Sequence, residues 1–325
     1  MRKRTKRNGD GGLQQLLQPN NINEAWQWLK ARRSQYPADD GVWHLRFHQD
    51  ILLPNIIQSI QNNTFSFSPP QRIHKKDGTA MVVWSATDVW VQKMLAQILQ
   101  TQLPMHKACT HIKGHGGAKQ SVNRIKQWIS SGTYPFVCRT DIRGYDANIN
   151  KHQLVEQLAQ YIHDPIILNL LAQYIYYTVE YGGTFHTPSK GICRGSPLSP
   201  LMAGFQLFCM DEHFSQQKHL RYQRYMDDFL ILCKTRWHLK KAVKELNQFF
   251  NHFGFEQHPD KTFIGRTNKG FDWLGFQLNH TGIVGVSVRL LENHKLQLRQ
   301  LYEQARKQKI SQQQHFPLAY KSLYL

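Results

Sequence analysis

Two adjacent carboxylates, Asp227 and Asp228, lie inside the otherwise apolar stretch RYQRYMDDFLILCK at 221–234. Neighbouring strand residues point to opposite faces, so two exposed carboxylates in a row are expected at a turn rather than in mid-strand. We therefore predict a hairpin whose turn projects both carboxylates from the end of a hydrophobic sheet. A third carboxylate, Asp141, follows another apolar run, PFVC at 135–138.

Carboxylates gathered from separate strand ends are typical of Mg²⁺ sites, because this hard cation prefers oxygen ligands. Two such ions about 4 Å apart can activate a hydroxyl nucleophile and stabilise a leaving pyrophosphate. Bound cations would also offset the repulsion between the carboxylates. The alternative is a hairpin turn that merely contains Asp-Asp, which these residues alone do not exclude.

The charge of the chain indicates a polyanionic partner. The 325 residues include 41 Lys plus Arg against 22 Asp plus Glu, a net charge of +19. An excess of this size favours nucleic acid, the alternative being a basic protein without a special partner. The five cysteines never have CxxC spacing, which argues against a disulfide framework or zinc site and favours a reducing, cytoplasmic setting. The sequence contains no run of 18 apolar residues, so no membrane-spanning helix is predicted.

Helical and extended patterns alternate along the chain without an internal repeat. The segments 43–63 and 196–214 each read as one helix, and 65–84 reads as a hairpin around a Lys-Lys-Asp-Gly turn. A glycine-rich loop, HIKGHGG at 111–117, runs into a helix. A long amphipathic helix ends at Gly254, a typical C-cap. The basic start, MRKRTKR, reads as a disordered arm that contacts phosphates or aids solubility.

Residues 225–228 read Tyr-Met-Asp-Asp, and with this motif the chain resembles the reverse transcriptases. Further blocks follow in the order of that family: FSPPQRIHKKDG (67–78), HIKGHGGAKQSV (111–122), TDIRGYDANI (140–149), KGICRGSPLSPLMAG (190–204), HPDKT (258–262) and FDWLGFQL (271–278). Six blocks in order do not arise by chance.

The resemblance implies a two-metal site. Asp141, Asp227 and Asp228 would be the metal carboxylates, with a backbone carbonyl from Ile142. Two Mg²⁺ ions are implied, with Mn²⁺ as an acceptable substitute. Lys261 would lie near the triphosphate and protonate the leaving pyrophosphate.

It also implies two further groups of contacts. The nucleotide-binding residues would be Arg72, Lys75, Lys76, Tyr145, Asp146, Arg194 and Gly195. The primer grip would be Trp273, Leu274 and Gly275.

Three departures from the family pattern affect these assignments. Arg194 stands where the family usually has Gln, and adds a fixed positive charge. Asp146 stands where an aromatic residue usually blocks the ribose 2′-hydroxyl, with Tyr145 just before it. Asp146 could act as the gate by filling the space, or accept a hydrogen bond and admit ribonucleotides. The Arg-Pro expected after the fingers hairpin is absent, so Arg72 and its neighbouring lysines are either triphosphate contacts or a solvated basic turn.

The implied fold class is α+β, a right-hand polymerase. We expect a basic N-terminal arm and helix at 1–40, fingers at 41–135, a palm with an antiparallel sheet at 136–285 and a short helical thumb at 286–325. The implied activity is RNA-directed DNA polymerisation. The resemblance is to bacterial enzymes of the group II intron and retron-like superfamily, with a stand-alone, defence-associated lineage as the best fit.

Other functions remain open on the sequence. They are a mobile-element reverse transcriptase, a template-independent terminal transferase, an RNA-templated RNA polymerase and a non-catalytic RNA-binding scaffold. The expected partners are dNTPs, a DNA or RNA primer and an RNA template, favoured as a dedicated non-coding RNA that completes the short thumb. Neighbouring copies in a homo-oligomer are the alternative.

Overall fold

The computed structural model describes residues 12–74, 78 and 80–307. Its α-helices are α1 (Gly12–Leu16), α2 (Pro19–Arg32), α3 (Gly41–Phe47), α4 (Gln49–Gln61), α5 (Ala86–Gln102), α6 (Gly117–Ser130), α7 (Tyr145–Asn148), α8 (Lys151–Ala159), α9 (Pro165–Ile175), α10 (Ser199–Gln206), α11 (Phe208–Ser215), α12 (Arg236–Phe253) and α13 (Val288–Lys307). Short 3₁₀ turns occur at Pro259–Lys261 and Thr267–Lys269.

The strands form three sheets. They are β1 (Gln71–His74), β2 (Ala80–Val83), β3 (Phe136–Asp141), β4 (Val179–Tyr181), β5 (Thr184–His186), β6 (Leu220–Tyr225), β7 (Asp228–Cys233), β8 (Phe263–Arg266), β9 (Phe271–Trp273), β10 (Phe276–Asn279) and β11 (Gly282–Val286). The strand orders are β2-β1-β4-β5, β6-β7-β3-β8 and β11-β10-β9. The second of these, antiparallel throughout, is the palm sheet.

The palm sheet is covered on both faces, which explains the continuous apolar run of β7. Phe229 and Ile231 belong to the main core, where the Phe229 ring meets Phe250 of α12 at 5.4 Å between ring centroids. Leu230 and Leu232 point the other way, into a second cluster formed with α6 and the β9–β11 sheet. Alternate strand residues thus enter two cores.

Helix α12 follows its predicted pattern. Its buried positions lie on one stripe, and it ends at Gly254, whose φ of +72° is in the left-handed region. This confirms the predicted C-cap. The predicted fingers hairpin is also present, with Arg72 opposite Val82 and His74 opposite Ala80.

Two predicted helices are wrong, because each is two helices. The segment 43–63 breaks at His48, and 196–214 breaks at Leu207, where backbone angles leave the helical region. The breaks let α3 pack on α5, and α11 on β6, in directions that one straight helix would not allow. Apolar periodicity continues across such a bend and does not reveal it.

The five cysteines, Cys109, Cys138, Cys193, Cys209 and Cys233, are all unpaired. Among the described residues, no helix is both long and apolar enough to cross a membrane. The N-terminal arm at 1–11 and the fingers-turn residues Lys75 and Lys76 lie outside the described residues.

Candidate active site

The Tyr-Met-Asp-Asp segment forms a tight hairpin at the end of the palm sheet. Tyr225 of β6 pairs with Asp228 of β7, so Met226 and Asp227 make a two-residue turn. Met226 has a φ of +55°, a left-handed conformation that is uncommon without glycine. The hairpin is as predicted, but only Asp227 lies in the turn; Asp228 is the first residue of β7 and is placed by strand pairing.

Backbone pairing brings Asp141 to the same end of the sheet. Asp141 is the last residue of β3 and lies directly opposite Asp228. The N–H of Ile142 then donates to the carbonyl of Asp227 at 3.1 Å. Directly opposed side chains of an antiparallel pair are neighbours. Asp141, Asp227 and Asp228 therefore lie at the same end of the sheet, close enough that the charge of Asp141 raises the pKa of the other two.

Two of these carboxylates are paired with cations. Nζ of Lys261 donates to Oδ2 of Asp141 at 2.8 Å. The guanidinium of Arg139 donates to Oδ1 of Asp228 at 2.9 Å and lies 3.3 Å from Oδ2 of Asp272. Within the described part of the chain, no three His, Cys, Asp or Glu side chains are arranged to hold a metal ion directly. In this conformation, protein cations pair with two of the three carboxylates.

Burial dominates the electrostatics of the turn. It raises the pKa of Asp228 to about 6, an effect that Arg139 opposes and that Asp141 and Asp227 reinforce. It also raises the pKa of Asp227, with the charge of Asp141 adding to the rise. Both shifts show that negative charge is costly here until a cation compensates it. An all-oxygen donor set of clustered carboxylates fits Mg²⁺.

A buried ion pair supports the turn from below, and sequence reasoning missed it. Nε of Arg224 donates to Oδ1 of Asp211 at 2.7 Å, and both side chains are fully buried. The Tyr222 hydroxyl donates to the same carboxylate oxygen at 2.7 Å. Arg224 also donates to the Met226 carbonyl at 3.0 Å. Arg224 lies two residues after Tyr222 in β6, so both side chains are on the same face of the strand. A charged residue on the face that carries Tyr222 was the available signal.

The two polar departures from the family pattern meet each other. Asp146 lies on the short helix α7, and its Oδ2 accepts a hydrogen bond from Nε of Arg194 at 2.7 Å. Burial raises the pKa of Asp146, and Arg194 opposes the rise. The second oxygen, Oδ1, is buried and has no hydrogen-bond partner among the described residues. Nothing in the sequence predicts a pairing between these two positions.

Tyr145 faces away from this pair. Its side chain is buried, and its hydroxyl donates to the Ala203 carbonyl at 2.7 Å. This burial speaks against the expected contact of Tyr145 with a nucleotide. The KGICRG segment passes so close to α7 that a Cβ on Gly191 would lie 2.8 Å from the Ala147 carbonyl. Gly195, with a φ of +82°, faces open space.

In the β2-β1-β4-β5 sheet, Arg72 is exposed and its guanidinium lies 5.5 Å from the centre of the Tyr181 ring. Tyr181 belongs to β4, which pairs with β1 beside Arg72. The described residues thus give Arg72 an aromatic partner.

The predicted primer grip is a hairpin turn between β9 and β10. Leu274 and Gly275 both have positive φ, +48° and +87°, as a type I′ turn requires. The Gly275 carbonyl accepts from the N–H of Ser287 at 2.8 Å, and Leu290 of α13 packs against the turn. Trp273 is buried and donates from Nε1 to Ser121 Oγ at 3.0 Å. Trp273 therefore anchors the small sheet to α6.

An antiparallel palm sheet with strand-end carboxylates, inside a mixed α+β chain, is the core of a right-hand polymerase, and the predicted fold class is confirmed. The family described as "Reverse transcriptase (RNA-dependent DNA polymerase)" matches residues 73–278. The chain belongs to this family.

Individual relatives are distant. The chain is 21% identical over 292 residues to the "Putative COX1/OXI3 intron 1 protein" of Saccharomyces cerevisiae, a match that covers 70% of this chain and 34% of that protein. The chain thus spans about a third of the length of this relative. Two solved structures, titled "Partial Cas6-RT-Cas1--Cas2 complex" and "Cas6-RT-Cas1--Cas2 complex", are each 22% identical with a TM-score of 0.44. Each match covers 74% of this chain, and 42% and 26% of the two matched chains, respectively.

Proposed function

We propose that this chain is an RNA-directed DNA polymerase that adds dNTPs to a primer 3′-hydroxyl on an RNA template. The observation that carries the proposal is the strand register that gathers Asp141, Asp227 and Asp228 at one end of the palm sheet. Family membership supports the same activity.

The three carboxylates, together with the carbonyl of Ile142, would hold two Mg²⁺ ions, with Asp141 and Asp227 as the principal ligands. When bound, such ions activate the attacking hydroxyl and neutralise charge on the phosphates. The protein contributes positioning and electrostatic stabilisation. Asp228, tied to Arg139, orients the hairpin and takes the secondary ligand role.

Lys261 has two roles in the proposal. In the described conformation its ammonium neutralises Asp141 at 2.8 Å. Lys261 would also hold a proton near the leaving pyrophosphate of a bound triphosphate. Arg72, Lys75 and Lys76 would contact the triphosphate from the fingers. Asp146, Arg194 and Gly195 would line the sugar side of the nucleotide.

The proposed partners are an RNA template, a DNA or RNA primer and a dedicated structured RNA. The net charge of +19 supports them, because it exceeds what one active cleft needs. The proposed division places the fingers at 41–135, the palm at 136–285 and the thumb at 286–325. A role in anti-phage defence rests on the resemblance to stand-alone bacterial lineages.

A mobile-element function is the second candidate. The observation that favours it is the intron protein of yeast among the relatives, of which this chain covers about a third. The two candidates share the same chemistry and differ in the RNA that serves as template.

The test is nucleotide incorporation by purified protein on a primed RNA template of mixed sequence, followed by sequencing of the product. DNA complementary to the template is expected. Extension unrelated to the template would indicate a terminal transferase, and extension with rNTPs alone would indicate an RNA polymerase. The proposal would be contradicted if no extension occurred with Mg²⁺ or Mn²⁺, whether dNTPs or rNTPs were supplied.

A further inference from the structure

The catalytic turn is held at both peptide groups of Met226. Its N–H donates to Nδ1 of His111 at 3.0 Å, and its carbonyl accepts from Arg224 at 3.0 Å. Met226 is the residue with the left-handed φ of +55°. A non-glycine residue keeps such a conformation only where its surroundings determine it strongly. The position of Asp227, the next residue, depends on these two hydrogen bonds.

His111 reaches the turn because its segment is attached to the edge of the palm sheet. The N–H of Arg224 donates to the Ala108 carbonyl at 2.9 Å, and the N–H of Thr110 donates back to the Arg224 carbonyl at 2.8 Å. These bonds extend β6 by a parallel bridge between Cys109 and Arg224. These bonds fix the backbone at Thr110, the residue directly before His111.

Close packing holds the same segment against α10. Ile112 lies so near Gly204 that a Cβ on this glycine would be 2.6 Å from the Ile112 side chain. The other ring nitrogen of His111, Nε2, is 3.0 Å from the Pro200 carbonyl at the start of α10. The imidazole thus bridges the catalytic turn and the SPLSP segment.

These contacts define the tautomer of His111. A carbonyl only accepts, so Nε2 must carry the proton toward Pro200, and Nδ1 is then the acceptor for the Met226 N–H. The Cys109 thiol, 3.4 Å from Nδ1, is a second weak donor to the same atom. Burial, with Arg224 nearby, lowers the pKa of His111 to about 4 and keeps the ring neutral.

We propose that His111 is a positioning residue of the catalytic turn: as the Nε2–H tautomer, it holds the Met226 peptide and thereby orients Asp227. This inference rests on the proposed nucleotidyl transfer for its kinetic consequence. It assigns to the glycine-rich loop a role in shaping the palm site, through one side chain. Disturbing the loop should therefore disturb the geometry at Asp227.

A matched pair of substitutions separates the two ring nitrogens. The amide oxygen of Asn can take the place of Nδ1, whereas the amide nitrogen of Gln reaches the place of Nε2. His111→Asn keeps the acceptor for Met226, and His111→Gln keeps only the donor to Pro200. For His111→Gln we expect kcat to fall on the order of 10²-fold, the usual cost of a small misplacement, with little change in KM for the primer–template. His111→Asn should restore most of that rate.

Equal impairment of both variants, or none in either, would overturn the proposal. Thermal melting of both variants checks that the fold is retained. A purely structural role would lower both melting temperatures and the active fraction without separating Asn from Gln.

Histidine ¹⁵N NMR of the unmodified protein supplies a readout that is independent of polymerisation. The His111 signals, assigned by their loss in His111→Gln, should show a neutral ring with the proton on Nε2 at pH 7. A proton on Nδ1, or a charged ring, would overturn the proposal. If the unmodified protein incorporated no nucleotide but showed this tautomer, the proposed function would fail while the contact to Met226 stood.

Discussion

At the scale of single residues, the ion pair between Asp146 and Arg194 predicts an unusual sugar gate. Asp146→Ala should open the pocket and raise the ratio of rNTP to dNTP incorporation by roughly tenfold or more, because the carboxylate no longer fills the space next to the ribose. Asp146→Phe should restore the aromatic gate that is usual in the family. The measurement is single-nucleotide extension with competing rNTP and dNTP.

The direction of the change identifies how Asp146 acts. A lower ratio in Asp146→Ala would mean that the carboxylate accepts a hydrogen bond from the 2′-hydroxyl rather than excluding it. An unchanged ratio in both variants would remove Asp146 from the gate. Tyr145 is a poor replacement in that case, because its hydroxyl is committed to Ala203 inside the core.

Asp228 predicts how the stability of the metal-free protein depends on pH. Burial raises its folded-state pKa from 3.8 to about 6, so the folded protein holds a proton that the unfolded chain releases between these values. Ionised Asp228 therefore destabilises the fold fully above pH 6, and the cost disappears as pH falls toward 4.

The test is Asp228→Asn in urea unfolding without divalent ions. The variant should be more stable than the original at pH 8, by at most about 3 kcal/mol for a shift of two pH units. The gain should shrink as the pH is lowered to 4. A gain that stays constant with pH, or one that grows in acid, would contradict the assignment.

Part of this chemistry was readable from the sequence and part was not. Asp141, Asp227 and Asp228 are recognisable in the sequence as carboxylates at the ends of apolar strands, so their location at one end of the sheet could be predicted. The partners of those carboxylates could not, because Arg139 is 89 residues from Asp228 and Lys261 is 120 residues from Asp141. Each pair meets only through the pairing of β3 with β7 or β8. The same holds for His111, which reaches the turn from another block.

At the scale of elements, the β9–β10 turn links the small sheet to α13. Gly275 has a φ of +87°, and a Cβ there would lie 3.2 Å from both Leu290 methyl carbons. Gly275→Ala should therefore cost about 1–3 kcal/mol from the left-handed conformation alone. It should also weaken primer–template binding, because it pushes the turn away from α13.

The matched control is Gly285→Ala in β11 of the same sheet. Gly285 has no positive φ, and a Cβ there meets nothing within 4 Å. This variant should leave both the free energy of unfolding and the primer–template Kd nearly unchanged. Equal effects of the two substitutions, by chemical denaturation and fluorescence anisotropy, would show that the turn has no special role.

Element types were more predictable than element boundaries. The amphipathic stripe of α12 and its C-cap at Gly254 could be predicted, because both are encoded by residues that are close together in the sequence. The breaks at His48 and Leu207 were not, because they serve the packing of α3 on α5 and of α11 on β6. Such long-range contacts leave no periodic signal.

At the scale of the whole molecule, the charge of +19 predicts a stable complex with structured RNA. Each neutralised phosphate releases condensed counterions, so the affinity should fall steeply with salt, about 10³-fold or more between 50 and 200 mM for six or more contacts. The protein is expressed from its gene together with the native flanking DNA and then purified. The measurement is the 260/280 nm absorbance ratio of this protein, followed by sequencing of any bound RNA. Nucleic-acid-free protein that is fully active on an arbitrary primed template would contradict a dedicated RNA.

The most direct test of the central claim is incorporation by Asp227→Asn. The substitution keeps the size of the turn residue and removes one charge from the carboxylate group formed with Asp141 and Asp228. With the fold verified by circular dichroism, single-turnover extension in Mg²⁺ should fall on the order of 10³-fold or more, as for other losses of charge stabilisation at a reacting centre. Substantial extension by purified Asp227→Asn protein would contradict the assignment of these strand-end carboxylates as the catalytic centre.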